Sequence, residues 1–429
     1  MPSYRSLPEL GDLIRSRTHS INNAVKAAGE PLPSFDRDTA YKALPYTQEL
    51  EGQRAELLEA LDELRALALG PAEHVYTLTY RAPVTLATFD ILYKYRIAEH
   101  LPLDGALSYK QLGARCGLAE SDTRRYVQSA IALRVFEEGA DGLVRHNAAS
   151  AALANTILYD WIGYATWGLG AASVKAADAL KRWPESEERG ENAFALANGE
   201  EGGLDIFSII ANDASRVKSF GDAMTFCLGL PNMYHAHFVN NVPWDSTSRA
   251  VPKVVVDIGG SYGALLQALL RKYPQIEKAI VEDRPEVTDQ GEKIKPADVA
   301  NRLEFKAYDF FTEQPVKGAD VYIMRMIMHD WSDKCAAQIL RAQIPALKPG
   351  ARILLNERVL IPPQPRNLIV ARFDMACDIV MNTVFNSKER TREDWISLLN
   401  LADSRFKLKS IVTPPHASLS VIEIVWDEK

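Results

Sequence analysis

The spacing of apolar positions changes along the chain, and each change predicts an element. Over 48–68 ("QELEGQRAELLEALDELRALA"), Leu50, Leu57, Leu61, Leu64 and Ala68 fall on one helical face. Gly70-Pro71 then breaks the pattern, which predicts an amphipathic helix with a C-terminal stop. The leucine stripe suits core packing or contact with a partner subunit. The segment before it is polar, and "GEPLPSFDRDTAYKALPY" carries three prolines, so residues 1–45 read as an arm or linker outside the core.

Between 85 and 150 the pattern gives a helix ("TLATFDILYKYRIAEHL"), a short helix capped by Ser108, a third helix ("ESDTRRYVQSAIALRVF") and a hairpin turning at Asp141-Gly142. This is the outline of a winged helix. A DNA reader needs several phosphate-neutralising cations on one face. Here Arg124, Arg125 and Arg134 are interleaved with Glu120, Asp122, Glu137 and Glu138, which favours dimerisation and substrate shielding over a DNA-binding regulator. From 155 to 245 the chain is helical and rich in Trp161, Trp167, Phe207, Phe220, Met224 and Met233. These side chains suit a core or the wall of a flat apolar pocket equally.

Beyond 250 the pattern becomes short apolar runs separated by helices, as in a buried parallel sheet. "KVVVDI" leads into Gly259, Gly260 and Gly263, and a helix starts near Ala264. Glycines at a strand-to-helix turn let a ligand approach the backbone and leave N–H groups free. The second glycine of a dinucleotide fingerprint is missing, since Ser261 stands there, and no lysine follows Gly263 as a phosphate loop requires. Asp257, two residues before the first glycine, instead suits a cationic ligand. The next strand ends in Glu282-Asp283, where an acid can hold a ribose diol, and the third ends in Asp309-Phe310, where an acid and a ring can hold a purine. Three such strand ends in succession imply an adenosine with a positive charge and an amino-acid tail, S-adenosyl-L-methionine.

Composition narrows the partners. With 429 residues, 47% hydrophobic and 24% charged, the chain has room for two or three soluble domains. A net charge of −7 argues against nucleic-acid or anionic-membrane partners. Cys116, Cys227, Cys335 and Cys377 are scattered and form no metal-binding spacing, and no basic leader with an apolar core opens the chain. The expectation is a cytoplasmic protein without a structural metal.

The ordered motifs "DIGGSYG", "VEDRP", "YDFF", "RMIMHDWSD", "NERVL" and "NSKERT" make the chain resemble the class I small-molecule O-methyltransferases, nearest the plant caffeate type and the fungal polyketide and phenol enzymes. The resemblance spans about residues 50–429. It implies an α/β fold: a Rossmann-like seven-stranded sheet whose last strand is antiparallel, behind an N-terminal helical, winged-helix dimerisation domain. The divisions are then 1–45, 46–245 for dimerisation and substrate cover, and 246–429 for cofactor binding and catalysis. "RFKLKSIVTP" and "SLSVIEIVW" agree with an antiparallel end to the sheet, and Thr391 caps a helix with Glu389 just before it.

Carried over by position, the resemblance places Asp257, Gly259 and Gly263 at the methionine tail of the cofactor, Asp283 at its ribose, and Asp309 and Phe310 at its adenine. Arg325 takes the place of a lysine near the adenine. His329 falls on the general base, flanked by Glu357 and Glu389. Phe220 and Met224 match the family's pocket helix, and Asp378, Asn382 and Asn386 are candidates to orient acceptor hydroxyls. Ser261 and the bulky Tyr262 depart from the family's loop. The reaction implied is methylation of a hydroxyl on an aromatic or polyketide-like secondary metabolite by a homodimer. The alternative is a pericyclase or cyclase of the same fold that keeps the cofactor without transferring its methyl; a base flanked by two glutamates favours transfer.

Overall fold

The protein is described by a computed structural model that covers residues 5–37, 48–154, 157–244, 251–362 and 368–427. Its contacts form two units. One holds the residues up to 174 together with 207–228 and 368–372; the other holds 175–206, 229–362 and 373–427. The division therefore differs from a single cut at 245, because residues 175–206 and 229–244 pack with the C-terminal sheet.

In the first unit, α1 (Leu7–Ala27) starts at a capping box in which Ser6 and Glu9 bond reciprocally. Its Leu10, Ile21 and Val25 are buried, and Ile21 and Val25 pack with Leu50. The expected arm thus contains a core helix. Three apolar positions suffice to seat it, and the polar average of the segment conceals them. The three-proline stretch runs partly beyond the described residues. Helix α2 (Gln48–Lys94) breaks at Gly70, whose φ of 72° and ψ of 167° are not helical, and Pro71 follows, as the breaker pair predicted. Within the leucine stripe Leu50 is buried, whereas Leu61 is 44% exposed.

Helices α3 (Tyr109–Cys116) and α4 (Glu120–Ala132) follow, with Ser108 capping α3. A small antiparallel sheet pairs Ala106–Leu107 and Glu137–Glu138 on either side of Val144–Arg145. This is the predicted element order. Arg124 and Arg125 are paired with Glu120 and Asp122 on the same helix, at 3.2 and 2.6 Å. Farther on, Phe220 on α5 (Ala214–Leu228) meets Tyr164 and Phe207 edge-on, with ring centroids 5.2 and 5.9 Å away.

The second unit is built on seven strands: β1 (Val254–Ile258), β2 (Lys278–Asp283), β3 (Leu303–Ala307), β4 (Val321–Arg325), β5 (Arg352–Glu357), β6 (Phe406–Val412) and β7 (Ser420–Trp426). Their order is β3-β2-β1-β4-β5-β7-β6. The first five are parallel, and β7 is antiparallel to both β5 and β6. Alternate residues feed opposite cores. Val256, Ile258, Tyr322 and Met324 pack with Ile339, Leu340 and Trp395. Val255, Val321 and Ile323 pack with Leu265, Leu266 and Leu269 of the other face. Burial on both faces explains why these strands read as continuous apolar runs. No helix among the described residues is long and apolar enough to cross a membrane.

Candidate active site

The carboxyl ends of β1, β2, β4 and β5 lie side by side, and the strand order switches between the parallel neighbours β1 and β4, with β2 and β3 to one side and β5 to the other. In open α/β sheets this is where a ligand crevice forms. After β1 the backbone turns with φ of 71° at Gly259, 52° at Ser261 and 76° at Gly263. A Cβ at Gly259 would lie 2.4 Å from Cδ1 of Ile327, so a larger residue there would have to displace that side-chain end as well as adopt a left-handed backbone. The Gly259 N–H donates to the Glu282 carbonyl at 2.7 Å, and the Ser261 N–H to the Asp283 carboxylate at 2.8 Å. Ser261 is therefore held in a left-handed conformation by the acid at the next strand end. Tyr262 is 47% exposed, so its bulk lies outside the turn.

Asp257 is the second-last residue of β1. It is buried, and its Oδ1 has no hydrogen-bond partner. Burial pushes its carboxyl up to about 7, with Arg325 opposing and Asp283 adding to the rise. A buried carboxylate oxygen without a donor fits a cationic ligand group, and the glycine turn fits a ligand lying against backbone. These residues suit the implied cofactor. Glu282 has a different place: it is buried and accepts from Gln314 at 2.8 Å, which in turn bonds Gln343 at 3.0 Å.

Asp309 is exposed and accepts the Phe311 N–H at 3.0 Å. Phe310 and Phe311 both stand edge-on to Trp331, at 5.7 and 4.8 Å between centroids. Arg189, which the sequence reading passed over, lies over the Phe311 and Trp331 rings at 5.1 and 5.0 Å. Arg325 is engaged elsewhere than expected. Its Nε donates to Asn356 at 3.0 Å and its Nη2 to the Met233 carbonyl, and its charge acts on Asp257 and Glu357. It holds strand ends together beside two buried acids.

His329, on the loop after β4, is 6% exposed. Its Nδ1 lies 3.1 Å from Oε1 of Glu389, and its Nε2 is 3.5 Å from Oδ1 of Asp330. Burial alone would lower the imidazole's proton affinity, but Asp330, Glu389 and Glu357 outweigh it and push it up to about 10. Glu357 does not bond to the imidazole. Its Oε1 accepts the backbone N–H groups of Ile327 and Met328 at 2.9 and 2.7 Å. Burial raises its carboxyl to about 7, with His329 opposing.

Two further side chains fix the same loop. Arg390, fully buried, donates to the carbonyls of Met328 and Trp331 at 2.8 Å each and to Asp333 at 2.9 Å. Ser387 bonds the carbonyl of His329 itself. Asp378 accepts the Glu389 N–H at 2.8 Å and so holds that carboxylate in place. Asn386 is used structurally, donating to the carbonyls of Ser186 and Glu188 at 3.0 and 2.9 Å. Asn382 is exposed and lines a small recess with Trp183 and Asn192. Phe220 and Met224 belong to the first unit.

Similarity to known proteins identifies the family. The model of the O-methyltransferase domain matches residues 184–404. The O-methyltransferase kk1A of Curvularia clavata is 32% identical over 99% of this chain and 98% of its own. A grayanic acid biosynthesis cluster O-methyltransferase of Cladonia grayi is 33% identical over 98% of this chain and 88% of its own. Among solved structures, LepI in complex with SAM has the same fold, with a TM-score of 0.72 at 21% identity over 97% of this chain and all of that one. The chain belongs to the S-adenosylmethionine-dependent O-methyltransferases.

Proposed function

We propose that this methyltransferase acts on a hydroxyl of an aromatic or polyketide-like small molecule, with His329 as general base. The observation that carries the reading is the hydrogen bond between His329 Nδ1 and Glu389, which leaves Nε2, 3.5 Å from Asp330 Oδ1, as the nitrogen on the opposite side for an acceptor. The relative from the grayanic acid cluster supports a secondary-metabolite acceptor.

A phenol has a pKa of about 10, so only about 0.1% is phenolate at pH 7. Removal of the proton by a placed imidazole contributes about 10²–10⁴-fold. Against the effect of burial, the neighbouring acids push the His329 imidazole up to about 10, so the neutral base, and methyl transfer with it, should grow as pH rises toward that value. Glu389 fixes the tautomer from the far side of the ring and stabilises the imidazolium that forms. Glu357, Arg390 and Ser387 hold the loop, so Nε2 need not be reordered at the moment of transfer. Asp257, Gly259 and Gly263 would hold the methionine end of the cofactor, Asp283 its ribose, and Asp309 and Phe310 its adenine. The cofactor supplies an electrophilic methyl group on a sulfonium. Proton removal by His329 makes the acceptor oxygen nucleophilic toward it.

The test is incubation with S-adenosylmethionine and a panel of phenolic polyketides, read by mass spectrometry. A gain of one methyl mass is expected. A product of unchanged mass but altered retention would replace this reading with the pericyclase one.

A further inference from the structure

Arg358 follows Glu357 at the end of β5 and is buried. Its Nη1 pairs with Asp374, and its guanidinium lies over the Phe373 ring, 5.0 Å from the centroid. Its Nε is 3.8 Å from Oε1 of Glu389, the oxygen that also faces His329 Nδ1 at 3.1 Å. Arg358 Nε and Glu389 Oε2 are both buried and neither has a hydrogen-bond partner. Glu389 thus stands between two cation-forming groups, bonded to one and within ion-pair reach of the other.

We propose that Arg358 is a positioning residue: its charge, 3.8 Å from the Glu389 oxygen that faces His329, competes with the imidazolium for that carboxylate, so the His329–Glu389 pair gives up its proton at a lower pH than it would alone. The acids facing the pair are Asp330 on the His329 loop, Glu357 at the end of β5 and Asp378 at the Glu389 N–H; Asp374 and Cys377 lie around Arg358. Among the cations, Arg325 acts on Glu357, and Lys388 pairs with Asp333. Among the described residues, Arg358 is the arginine or lysine set at Glu389. Its removal leaves the pair facing only acids at close range, so the last proton is held to higher pH, whichever atom carries it. The kinetic consequence rests on the reading of His329 as base; the effect on proton affinity does not.

The experiment is a ¹⁵N NMR titration of the His329 ring in the full chain, with the signal assigned by its loss in His329→Ala. Arg358→Gln is expected to raise the midpoint by about one unit or more, the size nearby charges produce, and Arg358→Lys by less. Asp374→Asn frees Arg358 for Glu389 and is expected to lower the midpoint, a shift that generic loosening would not give and that stays readable if Arg358→Gln fails to fold. The acid limb of the kcat/KM profile is expected to move with each midpoint. An unmoved midpoint in folded Arg358→Gln, an equal rise in Arg358→Lys, or an unmoved midpoint in Asp374→Asn overturns the proposal. Midpoints that move under a stationary acid limb support it and instead remove His329 as the base.

Discussion

Glu357 holds His329 without touching its ring: the carboxylate takes the N–H groups of Ile327 and Met328, the two residues that lead into the histidine. Glu389 does the opposite and bonds the ring itself. The two glutamates are therefore expected to fail differently. Glu357→Ala leaves two backbone donors unpaired, the buried Met328 N–H at about 1–3 kcal/mol and the half-buried Ile327 N–H at less, and a clear fall in melting temperature should accompany its loss of activity. Glu357→Gln keeps an oxygen for both donors and should retain most of the stability. Glu389→Gln should melt near the native temperature yet lose most of kcat. Equal thermal effects in Glu357→Ala and Glu389→Gln would contradict this division of labour.

Stability should decline as pH rises from about 7 to 9, above the range in which His146 and His235, whose proton affinities burial lowers, act in the opposite sense. The folded-state affinities of His329, up to about 10, and of Asp257 and Glu357, up to about 7, all exceed their ordinary values. Groups raised in this way bind more protons folded than unfolded, so the slope of stability with pH is negative. The His329 contribution is full below about pH 6.5 and is lost as pH climbs toward its folded value; the two carboxyls lose theirs between about pH 4 and 7. Urea midpoints measured across this range check the sign, and a rise toward pH 9 would refute it.

Gly259→Ala should weaken cofactor binding and stability together. The new Cβ would lie 2.4 Å from Ile327 in a backbone with φ of 71°. Left-handed backbone alone costs a non-glycine residue about 1–2 kcal/mol, and the clash pushes on the loop that carries His329. Calorimetric titration with S-adenosylmethionine and a melting curve read both effects. Native affinity in this variant would place the cofactor elsewhere.

Much of the sheet and its motifs was legible because buried parallel strands read as apolar runs and their ends as isolated polar residues. The helix break at Gly70-Pro71 was legible for a similarly local reason. The Leu7–Ala27 helix was not, since three seated apolar side chains barely change the average of a polar segment. Arg390 and Arg358 also escaped notice. A lone arginine in sequence defaults to solvent, and only the fold shows one clamping two carbonyls and the other set against Glu389. "SKERT" did flag Glu389; its next residue carried an equal signal that went unused. The burial of Asp257 was not legible either, because sequence position gives no measure of depth.

The second half of α2 exposes Val75, Tyr76, Leu78 and Tyr80, each more than half accessible, and Tyr76 stacks on Tyr80 at 5.3 Å. We propose that this face meets a second copy of the chain. Light scattering at micromolar concentration should give twice the 47.7 kDa chain mass, and Tyr76→Glu with Tyr80→Glu should halve it. A monomeric native protein would rule the dimer out.

The central claim is that His329 removes the acceptor proton. Its most direct test is single-turnover methylation by the native protein and by His329→Ala, each first titrated with S-adenosylmethionine. The expected result is cofactor affinity within a few-fold of native and methyl transfer slowed by about 10²–10⁴-fold. Transfer at the native rate in the variant would show that another group, or the solvent, takes the proton.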